Sequence, residues 1–349
     1  MSAPVERVEL GPGYSIARAI VGCWQLARDH GGAYDRSRAV RELVALAERG
    51  FTTFDVADIY FGAEELLGEL VRRRPRGELQ IHTKYVPDRS ALVKLGRRDI
   101  EKAIDRSLAR LGIERLDLVQ LHWWDWGEPG WLEAAGTLRE LIRAGKVRAL
   151  GITNFDRPRL EALLEAGVPV VSHQLQYSVV DRRPEEGMAD LCRSAGIAMM
   201  AYGTLAGGFL SERWLGAAEP ESGGLANRSL VKYRLILDEY GDWDAVQGLL
   251  RALAEIAAKH GAGIAAVATR WALERPGVAA AILGAGVRHR PGEALSLFSF
   301  CLDREDRERL DAIRPPAAGP RGDVYGVERE PGGRHAAILR TELNREVGS

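Results

Sequence analysis

Short apolar runs alternate along this chain with longer segments whose apolar positions recur at helical spacing. The runs are "ARAIVGC" ending at Cys23, "FTTFDV", "LQIHTKY", "LDLVQLHWW", "VRALGITNF", "VVSHQLQY", "IAMMAYGTL" and "VAAAILGAG". Between them lie amphipathic segments such as "SRAVRELVALAERG", "AEELLGELVRRR" and "GWLEAAGTLRELIRAGK", many closed by a glycine suited to a helix C-terminus. In "DIEKAIDRSLARLG" the leading Asp99 is the expected N-cap.

Near-continuous apolar strands separated by helices fit a parallel sheet covered on both faces. Eight such strands fall between Ala19 and Leu283, and no GxGxxG fingerprint follows the first. That pattern favours an α/β fold of the closed (β/α)8 TIM barrel type over an open doubly wound sheet. In front of it, "VERVEL" and "GYSIAR" predict a short β-hairpin within residues 1–18. Residues 211–243 break the rhythm as an insertion after the seventh strand, and residues 314–349 form a charged, Gly/Pro-rich C-terminal tail after the helix "REDRERLDAI". A length of 349 residues accommodates two average domains or one large barrel, and the lack of a composition break favours a single barrel domain over 1–349.

Composition narrows the class. Charged residues make up 28% of the chain but balance to a formal net charge of -1, so nothing marks a nucleic-acid or membrane surface. The N-terminus lacks the order of a signal peptide, which predicts a cytoplasmic protein. Cys23, Cys192 and Cys301 lack metal or disulfide spacing and are expected as free thiols, with no metal site.

Barrel chemistry occurs where the strands end and the loops converge. The successive ends here offer Gly22, Cys23 and Trp24; Asp55 with Tyr60; Lys84; His122 with Trp123 and Trp124; Thr153 and Asn154; Gln174; Tyr202 with Gly203; and Gly284. Asp55, Tyr60, Lys84 and His122 form an acid-base set. A phenol is a poor acid near neutrality, and an adjacent ammonium is expected to lower its pKa. Asp55 can hold that ammonium, and His122 can donate to an oxygen gaining negative charge. Singly, Asp55 reads equally well as a turn cap, Lys84 as a solvated lysine and His122 as a buried histidine. Their coincidence on successive strand ends raises the functional reading.

With these residues the sequence resembles the aldo-keto reductase superfamily. "FDVADIYFGAEELLG" carries its signature at Asp55, Ala57, Tyr60, Glu64 and Gly68, and "HTKY", "LDLVQLHWWD", "GKVRALGITNF", "HQLQYS" and "MAYGTLAGGFL" follow in family order, to about Ile313. The resemblance implies a barrel that binds a nicotinamide cofactor and interconverts small aldehydes or ketones with alcohols. Tyr60 would be the acid, Lys84 and Asp55 its charge partners, and His122 the carbonyl-orienting group; Asp58 would be a turn or cap residue. Thr153, Asn154 and Gln174 would hold the nicotinamide carboxamide, and Tyr202 would stack on its ring. The turn Gly203, Thr204, Leu205, Gly207, Gly208 and Leu210 would approach the pyrophosphate, with Gly22, Cys23, Trp24, Asp55 and Gly284 bordering the cofactor. Trp24, Tyr60, Trp123 and Trp124 would wall the substrate pocket. Gly286 and Ala294 replace the family's usual adenosine contacts, leaving Arg288 or Arg290 for a 2'-phosphate and NADPH as the expected cofactor ahead of NADH. Alternative readings are a cofactor-binding regulatory or scaffold subunit and a cofactor-independent isomerase or lyase.

Overall fold

Alternation along a strand sends successive side chains to opposite faces, so one residue set fills a barrel while the other meets the helices. The computed structural model, which describes residues 4–28 and 34–344, arranges the chain in this way. Residues 1–3 of the expected N-terminal hairpin segment and 345–349 of the tail lie outside the described residues. Strands β1 (Arg7–Gly11) and β2 (Tyr14–Ala17) form an antiparallel hairpin. Strands β3 (Ala19–Gly22), β4 (Thr53–Asp55), β5 (Gln80–Tyr85), β6 (Leu116–Leu121), β7 (Val147–Thr153), β8 (Val170–Gln176), β9 (Ala198–Tyr202) and β10 (Val278–Gly284) close into a parallel barrel, with β10 beside β3.

The hairpin plugs the amino-terminal end, where Leu10, Tyr14 and Ile16 pack against inward-facing Ile20, Leu118, Ala149, Met200 and Ala280. Outward-facing Val21, Phe54, Ile81, Val119, Leu150 and Leu175 join the larger core under the helices. Those helices include α1 (Arg36–Glu48), α2 (Ala63–Arg73), α3 (Arg97–Leu111), α4 (Trp131–Arg143), α5 (Arg157–Glu165) and α6 (Met188–Ser194). Helix α3 starts earlier than its sequence suggests. Gly96 is the N-cap, and Asp99 lies in the first turn with its carboxylate accepting the Gly96 N–H at 3.1 Å.

The 211–243 insertion holds a helix that its Gly- and Pro-rich flanks disguise, α7 (Arg228–Tyr240). Asn227 caps it by accepting from Leu230 N at 3.0 Å, and Leu230, Tyr233, Ile236, Leu237 and Tyr240 give it a buried face. Next come α8 (Trp243–His260), α9 (Ile264–Leu273), α10 (Pro291–Ser296) and α11 (Arg304–Ala312). The tail then crosses the carboxyl-terminal face of the barrel with two single-turn helices, α12 (Gly326–Arg329) and α13 (Arg334–Ala337). A buried ion triad anchors it: Arg183 meets Asp181 at 2.7 Å and Glu328 at 2.8 Å, and each is at most 2% exposed. Burial alone would raise the Glu328 carboxyl, but the Arg183 guanidinium overrides it and brings the pKa down to about 2.

Among the described residues no helix is long and apolar enough to cross a membrane, and no group of three or more His, Cys, Asp or Glu could hold a metal ion. Cys23 and Cys192 are buried and Cys301 is exposed, all as free thiols.

Three buried histidines link this fold to pH. Burial lowers His82 to about 4 and both His122 and His173 to about 3, from an ordinary 6.5. Below that ordinary value the unfolded chain takes up protons that the native chain excludes. Their stabilisation is therefore complete above it and declines as pH falls, by up to about 1.4 kcal/mol per pH unit for each histidine. Phe155 N–H donates to His173 Nε2 at 3.2 Å, so an asparagine there keeps an acceptor without the titration. Thermal unfolding followed by circular dichroism should show the midpoint falling between about pH 7 and pH 5, less steeply in His173→Asn. Identical slopes would mean that His173 is not shielded from protons.

Candidate active site

Polar side chains of β4, β5 and β6 converge inside the carboxyl-terminal end of the barrel. Asp55 ends β4, and Asp55 pairs with His82, so the next inward residue of β5, Lys84, stands directly above it. The Lys84 ammonium ion-pairs with Asp55 and donates to Val56 O at 3.0 Å, with Lys84 6% and Asp55 3% exposed. The second Asp55 oxygen accepts from Gln120 Nε2 at 2.9 Å and Gln174 Nε2 at 2.7 Å, and Gln174 also donates to Gln120 Oε1 at 2.9 Å. Gly151 makes room for this network: a Cβ there would lie 3.2 Å from Gln120 and 2.6 Å from Ser172 Oγ.

Tyr60 follows in the turn after β4, half-buried, with its ring centre 5.0 Å from Lys84 Nζ. Burial raises its phenol pKa; the charge of Lys84 and a hydrogen bond from it pull the other way without reversing the rise. The net direction is opposite to the sequence expectation, because the same enclosure that brings in the ammonium also removes water from the phenolate. Lys84 is itself raised: burial works against its charge, and Asp55 and Tyr60 outweigh it. Asp58 is a loop anchor, accepting Val86 N–H at 3.1 Å. The signature's Glu64 is also structural, buried against Thr83 and Arg110 at 2.8 and 3.1 Å.

His122, just past β6, is 4% exposed, and burial followed by the charge of Arg329 keeps it neutral. Its Nδ1 is 3.4 Å from Thr153 O, and its ring meets Trp124 and Tyr325 edge-on at 4.4 and 5.7 Å. Trp124 is fixed by donation from Nε1 to Pro87 O at 2.8 Å. Trp123 points into the core with no exposure and bonds Glu128 O at 3.0 Å, so it does not wall a pocket as expected. Trp24 is partly exposed at the end of β3.

Asn154 adopts a left-handed conformation at φ 59°, and its Oδ1 accepts from Tyr202 Oη at 2.8 Å. Its amide N–H groups and Gln174 Oε1 are then the donor and acceptor available to a carboxamide, which needs one of each. Thr153 is 2% exposed beside them. These residues fit a nicotinamide, with the half-buried Tyr202 ring alongside.

The glycine-rich turn after β9 departs from expectation. A Cβ on Gly203 or Gly207 would come within 2.8 Å of the Tyr233 ring, so these glycines admit helix α7. Gly208, with nothing within 4 Å of such a Cβ, remains open to a pyrophosphate. Thr204 turns inward to Thr269 at 3.3 Å, Leu210 is core, and Leu205 is partly buried. Gly22 and Gly284 relieve contacts of 2.8 Å with Ile282 and 2.7 Å with Gln25, and the Cys23 thiol is wholly buried with its pKa pushed up by burial. At the proposed adenosine end, Arg288 is occupied by Glu42 at 2.8 Å and by Ala285 O at 3.2 Å. Arg290 is exposed and 3.4 Å from Glu293. Gly286 has open space around it, and Ala294 packs on the core.

Sequence reasoning passed over Gln120, Glu42, Lys232, Tyr325 and Arg329. Gln120 had a signal, since it lies two residues before His122 and so shares its inward face. The others come from α1, the insertion and the tail, whose placement no local pattern gives.

The sequence model of the Aldo/keto reductase family matches residues 18–315. Aldo-keto reductase YhdN of Bacillus subtilis is 29% identical over 310 residues, covering 86% of this chain and 91% of the relative. The NADH-specific methylglyoxal reductase of Escherichia coli is 25% identical, covering 86% and 96%. Among solved structures, the thermostable aldo-keto reductase Tm1743 in complex with epalrestat aligns with a TM-score of 0.70 at 27% identity, over 88% of this chain and 99% of that one.

Occupation of Arg288 by Glu42 yields a test. Glu42→Gln removes the competing carboxylate, so NADPH should bind about three- to tenfold tighter, a gain of about 0.7 to 1.4 kcal/mol, with NADH unchanged. Fluorescence titration of both nucleotides measures this. An unchanged ratio of affinities would exclude Arg288 as the phosphate contact.

Proposed function

The chain belongs to the aldo/keto reductase family of oxidoreductases, and we propose that it reduces a small aldehyde or ketone with NADPH, using Tyr60 as the proton donor. The observation that carries this reading is the assembly of Asp55, Lys84, Tyr60 and His122 at adjoining strand ends, next to an amide donor at Asn154 and an amide acceptor at Gln174 that have no hydrogen-bond partner among the described residues. The nicotinamide, when bound, supplies the hydride.

Asn154 and Gln174 would hold its carboxamide, and Tyr202 would fix the ring face. Gly208 and its neighbours would face the pyrophosphate, with Arg288 the candidate for the 2'-phosphate. Tyr60, protonated at neutral pH by the direction of its shift, gives its proton to the carbonyl oxygen as that oxygen becomes an alkoxide. Lys84 stabilises the phenolate left behind, and Asp55 keeps Lys84 charged and in place. His122 orients the carbonyl by donating from Nε2, in the neutral tautomer that carries its proton there. The opposing Nδ1 contact at 3.4 Å is longer than an ordinary N–H···O bond of about 2.9 Å and resists that tautomer only weakly. Trp24 and Trp124 would border the substrate.

Tyr60→Phe should lower kcat for carbonyl reduction by about a hundredfold or more while the NADPH dissociation constant stays within about threefold. In the reverse direction the wild type needs a phenolate, so alcohol oxidation should still be rising with pH at about pH 9. Steady-state rates on a carbonyl and alcohol panel, with nucleotide titrations, check both. Undiminished reduction by the phenylalanine variant would remove Tyr60 from the role.

A further inference from the structure

Two cations reach the mouth of this site from outside the barrel proper. Lys232 comes from α7, and its ammonium lies 5.0, 5.5 and 5.6 Å from the ring centres of Tyr202, Tyr233 and Tyr325. Among the described residues it has rings around it and no carboxylate at ion-pairing distance. Arg329 comes from the tail. It donates to Trp123 O at 2.6 Å and Trp124 O at 3.2 Å, while its guanidinium covers Trp126 at 4.3 Å and Tyr325 at 4.9 Å. Its Nη1 is buried without a hydrogen-bond partner among the described residues. Tyr325 thus joins both cations to His122, against which its own ring packs.

Both side chains are partly buried, a setting in which a cation without a counter-ion is costly, and two near one ring also repel each other. The carboxylates whose charge reaches them are engaged elsewhere: Glu328 and Asp181 bond Arg183, and Asp156 caps α5. Burial accordingly lowers the pKa of Lys232, and that of Arg329 to about 10. Cation-π contacts and carbonyls recover part of the lost hydration but leave the charge uncompensated.

We propose that Lys232 and Arg329 form an anion subsite beside His122, which selects carbonyl substrates bearing a carboxylate or similar oxyanion. This rests on the reductase reading of the same site and specifies its substrate class. The carbonyl lies towards Tyr60 and His122, and the charged end lies under α7 and the tail. Neither element belongs to the strand-helix repeat.

Calorimetric titration tests this without requiring turnover. The probes are succinic semialdehyde and 4-carboxybenzaldehyde, each compared with its primary amide, added to the full chain saturated with NADP+. The expected result is that at least one carboxylate binds about tenfold more tightly than its amide. Lys232→Met and Arg329→Met should each bring that ratio towards one, and Arg329→Lys should restore part of it. Arg329 also pins the tail, so Lys232→Met serves as the independent variant if the other destabilises the fold. The proposal is overturned by equal binding of both members of each pair, by failure of all four to bind, or by a preference that survives both substitutions. A Lys232→Met defect confined to NADP+ affinity would assign that lysine to the cofactor's phosphates and overturn it too. NADPH turnover of the same probes is recorded separately: anion preference without turnover counts against the reductase reading alone, and turnover without preference against the subsite alone.

Discussion

Asp55 and Lys84 carry opposite unit charges inside the barrel, where neither has water to solvate it. Such a pair is tolerated only when the remaining lone pairs and protons are also satisfied. Here Val56 O accepts a hydrogen bond from the lysine ammonium, while Gln120 and Gln174 donate to the second carboxylate oxygen. Four strands therefore have to be in register for one ion pair to be stable, since Asp55, Lys84, Gln120 and Gln174 lie on β4, β5, β6 and β8. The absent side chain of Gly151, on the intervening β7, is what lets Gln120 cross the lumen.

The elements above this network are held by a different buried ion cluster. Arg183 shares its guanidinium between Asp181, in the loop after β8, and Glu328 in the tail, and this fixes Tyr325 and Arg329 over His122. On the neighbouring side α7 seats through Tyr233 against Gly203 and Gly207. The barrel thus supplies the proposed acid-base groups, and two additions to the barrel supply the roof. Under the proposed function, their different origins would separate chemistry, which the strands fix, from selectivity, which the roof can change without disturbing the strands.

This division also decides what the sequence could reveal. The eight strands were legible because burial on both faces leaves near-continuous apolar runs, and Asp55, Lys84 and His122 stood out as polar residues ending them. Contacts between distant segments leave no local pattern. Nothing in "ILGAGVRHRPGEALSLFSF" announces that Glu42, on the first helix, occupies Arg288, and "SLVKYRLIL" is too mixed, among glycines, to declare a helix. The glycines of "GTLAGGFL" suggested room for a phosphate, whereas at Gly203 and Gly207 that room is taken by Tyr233. The direction of the Tyr60 shift was illegible for another reason: residue types reveal which charges are near, but only the fold reveals how much water has left.

Burial and charge at Tyr60 bear on the role of the glutamines. An Asp55 carboxylate bonded to Lys84 alone would concentrate its charge there and leave little positive potential for a phenolate. Gln120 and Gln174 spread that charge across two further donors, so part of the Lys84 field remains directed at Tyr60. Gln174 is also the residue whose Oε1 is expected to accept from the nicotinamide carboxamide, while its N–H groups donate to Asp55 and Gln120. Cofactor placement and phenol acidity would be coupled through this one amide, because its orientation sets both contacts.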